Sequence, residues 1–195
     1  MDELSAGVTL TVPGPERMRD LGRRLAALLA PGDLVLLTGE LGAGKTTLTR
    51  GIGEGLGVRG PVTSPTFVIA RVHPPLAAGP PLVHVDAYRL TGGLEEMEDL
   101  DLDVALPESV VVVEWGEGRV EELSEDRLHV TIRRGTGSGR LPGHGRRPGP
   151  NPGETAGKAA GEPAGEPAED VREVTLRGVG ARWRNVTFPA QRATA

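Results

Sequence analysis

Gly39-Glu40-Leu41-Gly42-Ala43-Gly44-Lys45-Thr46 has the composition of a phosphate cradle and fits the pattern G-x-x-x-x-G-K-[ST]. Glycines let such a loop wind tightly enough for its backbone N–H groups to converge on phosphate oxygens. A helix starting where the loop ends adds its positive N-terminal end. At Lys45 an ammonium would neutralise β- and γ-phosphates, and at Thr46 a hydroxyl would ligate Mg²⁺. Lysine is scarce in this chain: of 22 basic residues, Lys45 and Lys158 alone are lysines. Lys158 lies in Gly157-Lys158-Ala159, without the hydroxyl, the spacing or a preceding strand. Lys45 stands where a compact charge is needed and a planar guanidinium would be too bulky.

Such a loop works with a carboxylate near Mg²⁺, ordinarily at the end of a neighbouring buried strand. Val110-Val111-Val112-Val113 leads into Glu114-Trp115, so Glu114 is placed to hold Mg²⁺ or polarise an attacking water. The rival reading is a charge facing solvent at a strand exit. Trp115 either packs near the nucleotide or caps the core. Asp86 ends the run Leu82–Val85 and shares a strand face with His84. If that strand neighbours the one entering the loop, Asp86 reaches the nucleotide edge, for Mg²⁺ or water positioning; otherwise it stabilises a loop. Thr63-Ser64-Pro65-Thr66-Phe67 is either a switch whose threonine senses a γ-phosphate or a plain Pro-led turn.

These groups need elements to hold them. Val8–Val12 alternates as a strand, and Glu16–Leu29 places Met18, Leu21, Leu25 and Leu28/Leu29 on one helical face before Pro31-Gly32. Leu34-Val35-Leu36-Leu37 and Val110–Val113 are unbroken apolar runs, the pattern of buried strands. A helix is expected from about Lys45 to Leu56, strands at Phe67–Val72 and Leu82–Val85, and a helix at Leu94–Val104. Strands alternating with helices indicate an α/β sandwich around a largely parallel sheet. Arg127–Ile132 and Val171–Arg177 alternate as two further strands, expected to form an antiparallel addition.

Between those last two strands, Gly135–Asp170 holds 10 Gly and 6 Pro among 36 residues, with Leu141 its one large apolar side chain. It buries too little to offset its ordering entropy and is read as a disordered insertion. Closing such a loop between neighbouring strands costs little, because the entropy grows only logarithmically with length. Residues 1–134 would then form the main domain and residues 171–195 complete it. The net charge of −5 argues against autonomous nucleic-acid binding. The absence of cysteine removes thiol and disulfide chemistry, and four histidines show no metal-ligand spacing. The longest apolar run, Leu25–Ala30, is far short of a membrane span, and the start lacks a signal peptide's basic head and apolar stretch, so a cytoplasmic protein is expected.

No N-K-x-D segment is present for guanine and no L-S-G-G-Q for a transporter-type ATPase. A small-metabolite kinase stays open, although the Arg-poor Pro74–Pro81 makes a poor lid. Taken in order, Gly39–Leu48, Ser64–Phe67, His84–Leu90 and Val112–Trp115 resemble the TsaE (YjeE) family of bacterial tRNA threonylcarbamoyladenosine biosynthesis ATPases. The similarity covers about residues 8–134 and, loosely, Val171–Trp183.

The resemblance implies a P-loop NTPase-like three-layer sandwich with a mixed, mostly parallel sheet. It implies ATP and Mg²⁺ as cofactors, with a TsaD-like transferase and a TsaB-like companion as partners. That pair modifies adenosine 37 of tRNA, which this chain would meet only indirectly. The chain itself would hydrolyse ATP, slowly when alone, to reset or license the complex. Carried over, Gly39, Glu40, Leu41, Gly42, Ala43, Gly44, Lys45 and Thr46 bind phosphates, Thr47 supports them, and Thr46 and Glu114 hold Mg²⁺. Asp86 and Thr66 are implied in catalysis, Trp115 lies near the nucleotide, and the turn at Val12–Pro15 borders the adenine. The 135–170 insertion departs from the family pattern and leaves any role of Arg172 open. A nucleotide-gated interaction module with incidental hydrolysis is the alternative to the ATPase.

Overall fold

Strands whose side chains are apolar on both parities must be covered on both faces, and the two such runs here lie side by side at the centre of a sheet. The computed structural model describes residues 2–65, 69–89, 102–118, 120–135 and 170–188. In chain order they form β1 (Asp2–Glu3), β2 (Val8–Pro13), α1 (Gly14–Ala26), β3 (Leu34–Gly39), α2 (Lys45–Leu56), β4 (Ala70–His73) and β5 (Leu82–Asp86). Then come α3 (Leu102–Ala105), β6 (Val110–Glu114), β7 (Arg127–Arg134), β8 (Val171–Val179) and β9 (Thr187–Phe188).

The main sheet has seven strands in the order β2-β8-β7-β3-β6-β5-β4. The steps β7-β3-β6-β5 are parallel, and β2-β8, β8-β7 and β5-β4 are antiparallel. Hence β2, β3, β5, β6 and β7 all run one way and β8 and β4 run against them, the mixed but mostly parallel sheet expected. Its parallel part extends further than expected, because β7 pairs parallel with β3 before β8 reverses direction.

Alternation along β3 and β6 separates two cores. Val35, Leu37, Val110 and Val112 meet Met18, Leu21, Leu25, Leu48 and Ile52 of α1 and α2. Leu34, Leu36, Val111 and Val113 meet Leu102, Leu106 and Val120 on the opposite face. Three layers result. α1 and α2 cross very closely: a Cβ built on Gly51 would lie 2.2 Å from the Arg19 carbonyl oxygen, so that contact requires glycine.

Several boundaries differ from the sequence reading. The first helix runs over Gly14–Ala26 rather than Glu16–Leu29, beginning with Pro15 in its first turn, where a missing N–H costs nothing. Leu28 and Leu29 follow in tighter turns, their amides bonding Leu25 O at 2.8 Å and Ala26 O at 3.2 Å. The strand placed at Phe67–Val72 is β4, Ala70–His73. Of the helix placed at Leu94–Val104, α3 alone falls among the described residues. Residues 136–169 lie outside them, but the strands on either side are antiparallel neighbours, with Arg134 opposite Arg172 and the Gly135 amide on Val171 O at 2.9 Å.

Candidate functional site

β3 delivers the chain to Gly39 and α2 begins at Lys45, so the Gly39–Thr46 loop joins the C-terminal end of a buried strand to a helix N-terminus. Gly44 is the N-cap with φ of 112°, no side chain caps the helix, and its first turn carries no acidic residue. The helix's positive end is thus left unneutralised by its own side chains. Within the loop the Ala43 amide bonds Glu40 O at 3.0 Å.

The Lys45 ammonium donates to Gly39 O at 2.7 Å and Glu40 O at 3.1 Å. It also lies 3.7 Å from the centre of the Trp115 ring. Burial lowers the Lys45 pKa below the ordinary lysine range, opposed by the negative fields of Glu114 and Asp86.

Those carboxylates arrive from two neighbouring strands. Leu37 pairs with Glu114 across β3 and β6, and Glu114 pairs with Asp86 across β6 and β5. Strand alternation turns His84, Asp86 and Glu114 toward the α1–α2 face. Glu114 Oε1 accepts the Thr46 hydroxyl at 2.9 Å and pairs with His84 Nε2 at 2.9 Å. With Glu114 ionised, that bond assigns the imidazole proton to Nε2. His84 is fully buried, and its Nδ1 has no hydrogen-bond partner among the described residues. Asp86 is buried, its Oδ1 accepting the Tyr88 amide at 3.3 Å.

β5 does not neighbour β3, since β6 lies between them. Asp86 still reaches the site, because in-register parallel strands end level with one another. A cleft of about 580 Å³ is lined by Leu41, Gly42, Gly44, Lys45, Thr46, Thr47, Ser64, Asp86, Tyr88, Glu114 and Trp115.

Trp115 has φ of 64°, a left-handed conformation that costs a non-glycine residue about 1–3 kcal/mol. Its amide bonds Leu37 O at 3.1 Å, and its ring packs on Tyr88 at 5.4 Å between centroids. Of its two sequence readings, the cleft is where it stands. Gly39 and Glu40 meet Lys45 through their carbonyls, and Ala43 is buried in the core. Ser64 lines the cleft, whereas Thr66 and Phe67 lie outside the described residues. Beside the loop, Gly14, Pro15 and Met18 line a cleft of about 120 Å³ with Gly42, Ala43, Gly44, Thr47, Asp170 and Arg172.

Two residues at the site went unassigned from sequence. His84 was noted for its strand face alone, and its contact with Glu114 depends on strand order. Arg172 is buried with Nε on Ala43 O at 3.1 Å, and it pairs with Asp170, whose carboxyl it holds below the ordinary range. A signal existed: on β8 Arg172 shares the buried parity of Val174 and Leu176, where a charge needs a partner.

No group of three or more His, Cys, Asp or Glu that could hold a metal occurs among the described residues. Mg²⁺ does not require one, since it is usually held by one or two carboxylates, water and substrate phosphates. The adjoining hydroxyl of Thr46 and buried carboxylate of Glu114 supply a donor set of that kind. Among the described residues, no helix is long and apolar enough to cross a membrane.

The sheet, the loop and α2 define a protein of P-loop NTPase-like architecture. The family model described as threonylcarbamoyl adenosine biosynthesis protein TsaE matches residues 12–141. A TsaE protein of Streptomyces coelicolor is 63% identical over 166 residues, covering 85% of this chain and 93% of its own. One from Mycobacterium tuberculosis is 50% identical over 137 residues, covering 67% and 82%. The crystal structure of Bacillus subtilis YdiB superposes with a TM-score of 0.60 at 30% identity, covering 91% of this chain and 89% of that one. The chain belongs to the TsaE family of tRNA threonylcarbamoyladenosine biosynthesis proteins.

Proposed function

We propose that this chain binds and hydrolyses MgATP as the ATPase component of tRNA N6-threonylcarbamoyladenosine formation, resetting or licensing a TsaD-like transferase and its TsaB-like companion. The observation that carries the reading is the bond from the Thr46 hydroxyl to the buried Glu114 carboxylate, beside Lys45 and the N-terminus of α2. Thr46 and Glu114 would hold Mg²⁺, whose charge would offset that of the phosphates. Lys45 exchanges its carbonyl contacts for phosphate oxygens, and the loop amides and helix end bind the remaining charge. Asp86 orients the attacking water, and Trp115 and Tyr88 shield the reacting centre from bulk solvent. On this reading tRNA is met through the partners, in the cytoplasm, which suits a chain of net charge −5.

Hydrolysis of ATP by the purified chain, with and without its TsaD–TsaB pair, tests the proposal with Lys45→Ala as control. Stimulation by the pair and silence of the variant are expected. No change with the pair, and ATP consumed in step with a small metabolite, would make the chain a kinase. A second reading, a nucleotide-gated interaction module, is favoured by the rim: Leu41 is 86% exposed and Tyr88 71%. Glu114→Gln separates the two, abolishing function in the first and sparing it in the second where binding survives.

A further inference from the structure

Arg172 stands outside the proposed phosphate chemistry yet touches the loop that would perform it. It comes from β8, whose place beside β2 and β7 brings it to the outer side of the loop. Nε donates to Ala43 O at 3.1 Å, and a terminal nitrogen lies 3.5 Å from Gly42 O. The same fork binds Asp170, one arm at 2.8 Å from Oδ2 and the other on Oδ1. Asp170 is itself tied down, its carbonyl accepting the Gly14 amide at 3.1 Å.

The Ala43 contact has a directional effect. In a trans peptide the C=O and the following N–H point opposite ways, and no cis bond occurs among the described residues. Drawing Ala43 O toward Arg172 therefore turns the Gly44 N–H away from Arg172, and Gly44 lines the larger cleft together with Lys45 and Thr46. Gly42 and Gly44 have φ of 75° and 112°. Glycine reaches such angles freely but also leaves them freely, so the torsional preferences of Gly42 and Gly44 alone do not hold the amide in place. A donor array binds an anion well only when its orientation is set beforehand.

We propose that Arg172 is a positioning residue for the phosphate-binding loop: it aims the Gly44 amide by holding the Ala43 carbonyl, and Asp170 fixes its guanidinium. This rests on the phosphate-binding reading above. A lysine is a poor replacement, because one ammonium cannot serve the carbonyl and the carboxylate in the fork geometry of arginine.

The test is MgADP binding by calorimetry to wild type, Arg172→Lys and Asp170→Asn, with melting curves and the amide NMR spectrum of each nucleotide-free protein. Arg172→Lys is expected to weaken MgADP about tenfold, equivalent to about 1.4 kcal/mol. Asp170→Asn should weaken it about threefold and Asp170→Glu restore it, in line with an orienting partner. The Gly44 N–H residual dipolar coupling, which reports the direction of that bond, should change in the nucleotide-free Arg172→Lys protein, a readout that an arginine serving stability alone would not move.

A wild type that binds no MgADP would overturn the phosphate reading itself. A wild type that binds, with both variants binding equally well and the Gly44 N–H direction unchanged, would overturn the positioning role alone. Should Arg172→Lys melt more than about 5 °C lower, the exposed Asp170 decides: equal affinity in Asp170→Asn overturns the proposal.

Discussion

The two ends of β3 both hold buried charge, and they handle it in opposite ways. At the N-terminal end Asp33 is 3% exposed and closed on itself: its carboxylate accepts the Ala30 amide at 2.8 Å and Arg182 at 3.1 Å, and Arg182 also donates to Leu28 O. At the C-terminal end Lys45, Asp86 and Glu114 are as buried, but they border a cleft and their bonds leave capacity over. Glu114 spends one oxygen on both Thr46 and His84, and Lys45 is held by carbonyls that a stronger acceptor could replace. Burial of a charge therefore does not by itself distinguish the two ends. What distinguishes them is the direction of the unspent donors and acceptors.

The contrast can be broken by substitution. Glu114→Gln should lower ATP hydrolysis about 10²–10³-fold, the usual cost of losing one preorganised electrostatic contact at a reacting centre, with little change in melting temperature. Phosphate release and a thermal melt on the same sample check both halves; a large loss of stability would place Glu114 with Asp33 as a structural charge.

His84→Leu removes the second bond to Glu114 Oε1 and should lower hydrolysis about 10-fold, within the range for groups that orient ligands. His84→Gln, which keeps a donor, should recover part of it, read as kcat at saturating MgATP against KM.

At the other end, Asp33→Ala strands the Ala30 amide and loosens Arg182. It should cost about 1–2 kcal/mol, roughly 3–6 °C in melting temperature, with hydrolysis per folded molecule unchanged. An activity loss without a stability loss would break the distinction.

The smallest effect expected is one of pH. Burial raises the Asp33 pKa above 3.8, against the Ala30 amide and Arg182, which lower it. The folded state thus holds this proton more tightly than the unfolded one. Asp33's contribution is full below the unfolded value and is lost as pH rises through the folded one. Melting curves of wild type and Asp33→Asn should therefore converge or cross as pH rises from about 4 through the raised pKa, wild type gaining on the acid side. A gap that widens with pH would reverse the assignment.

Much of this was legible in the chain. The β3–loop–α2 unit was read with the right ends for α2, because its signals are local: an apolar run, glycines, then a 3.6-residue period. The position of Glu114 at the end of a buried strand was readable for the same reason. The place of Asp86 at a strand end was readable but its neighbouring strand was not, and His84 showed its face without its contact, since alternation tells which face a side chain takes and nothing of which strand stands beside it. Arg172 was left without a role although its inward parity on β8 was readable, because 129 residues, the insertion among them, separate it from Ala43.

The sequence by itself determined the glycine-rich loop between β3 and α2 and the alternation that buries β3 and β6, since contiguous residues carry their own geometry through backbone conformation and side-chain period. Tertiary structure alone decided that β6 lies between β3 and β5, that Thr46 and His84 share one oxygen of Glu114, and that Arg172 reaches the back of the loop. Strand order is a property of how the whole sheet packs, and no local pattern along the chain encodes it.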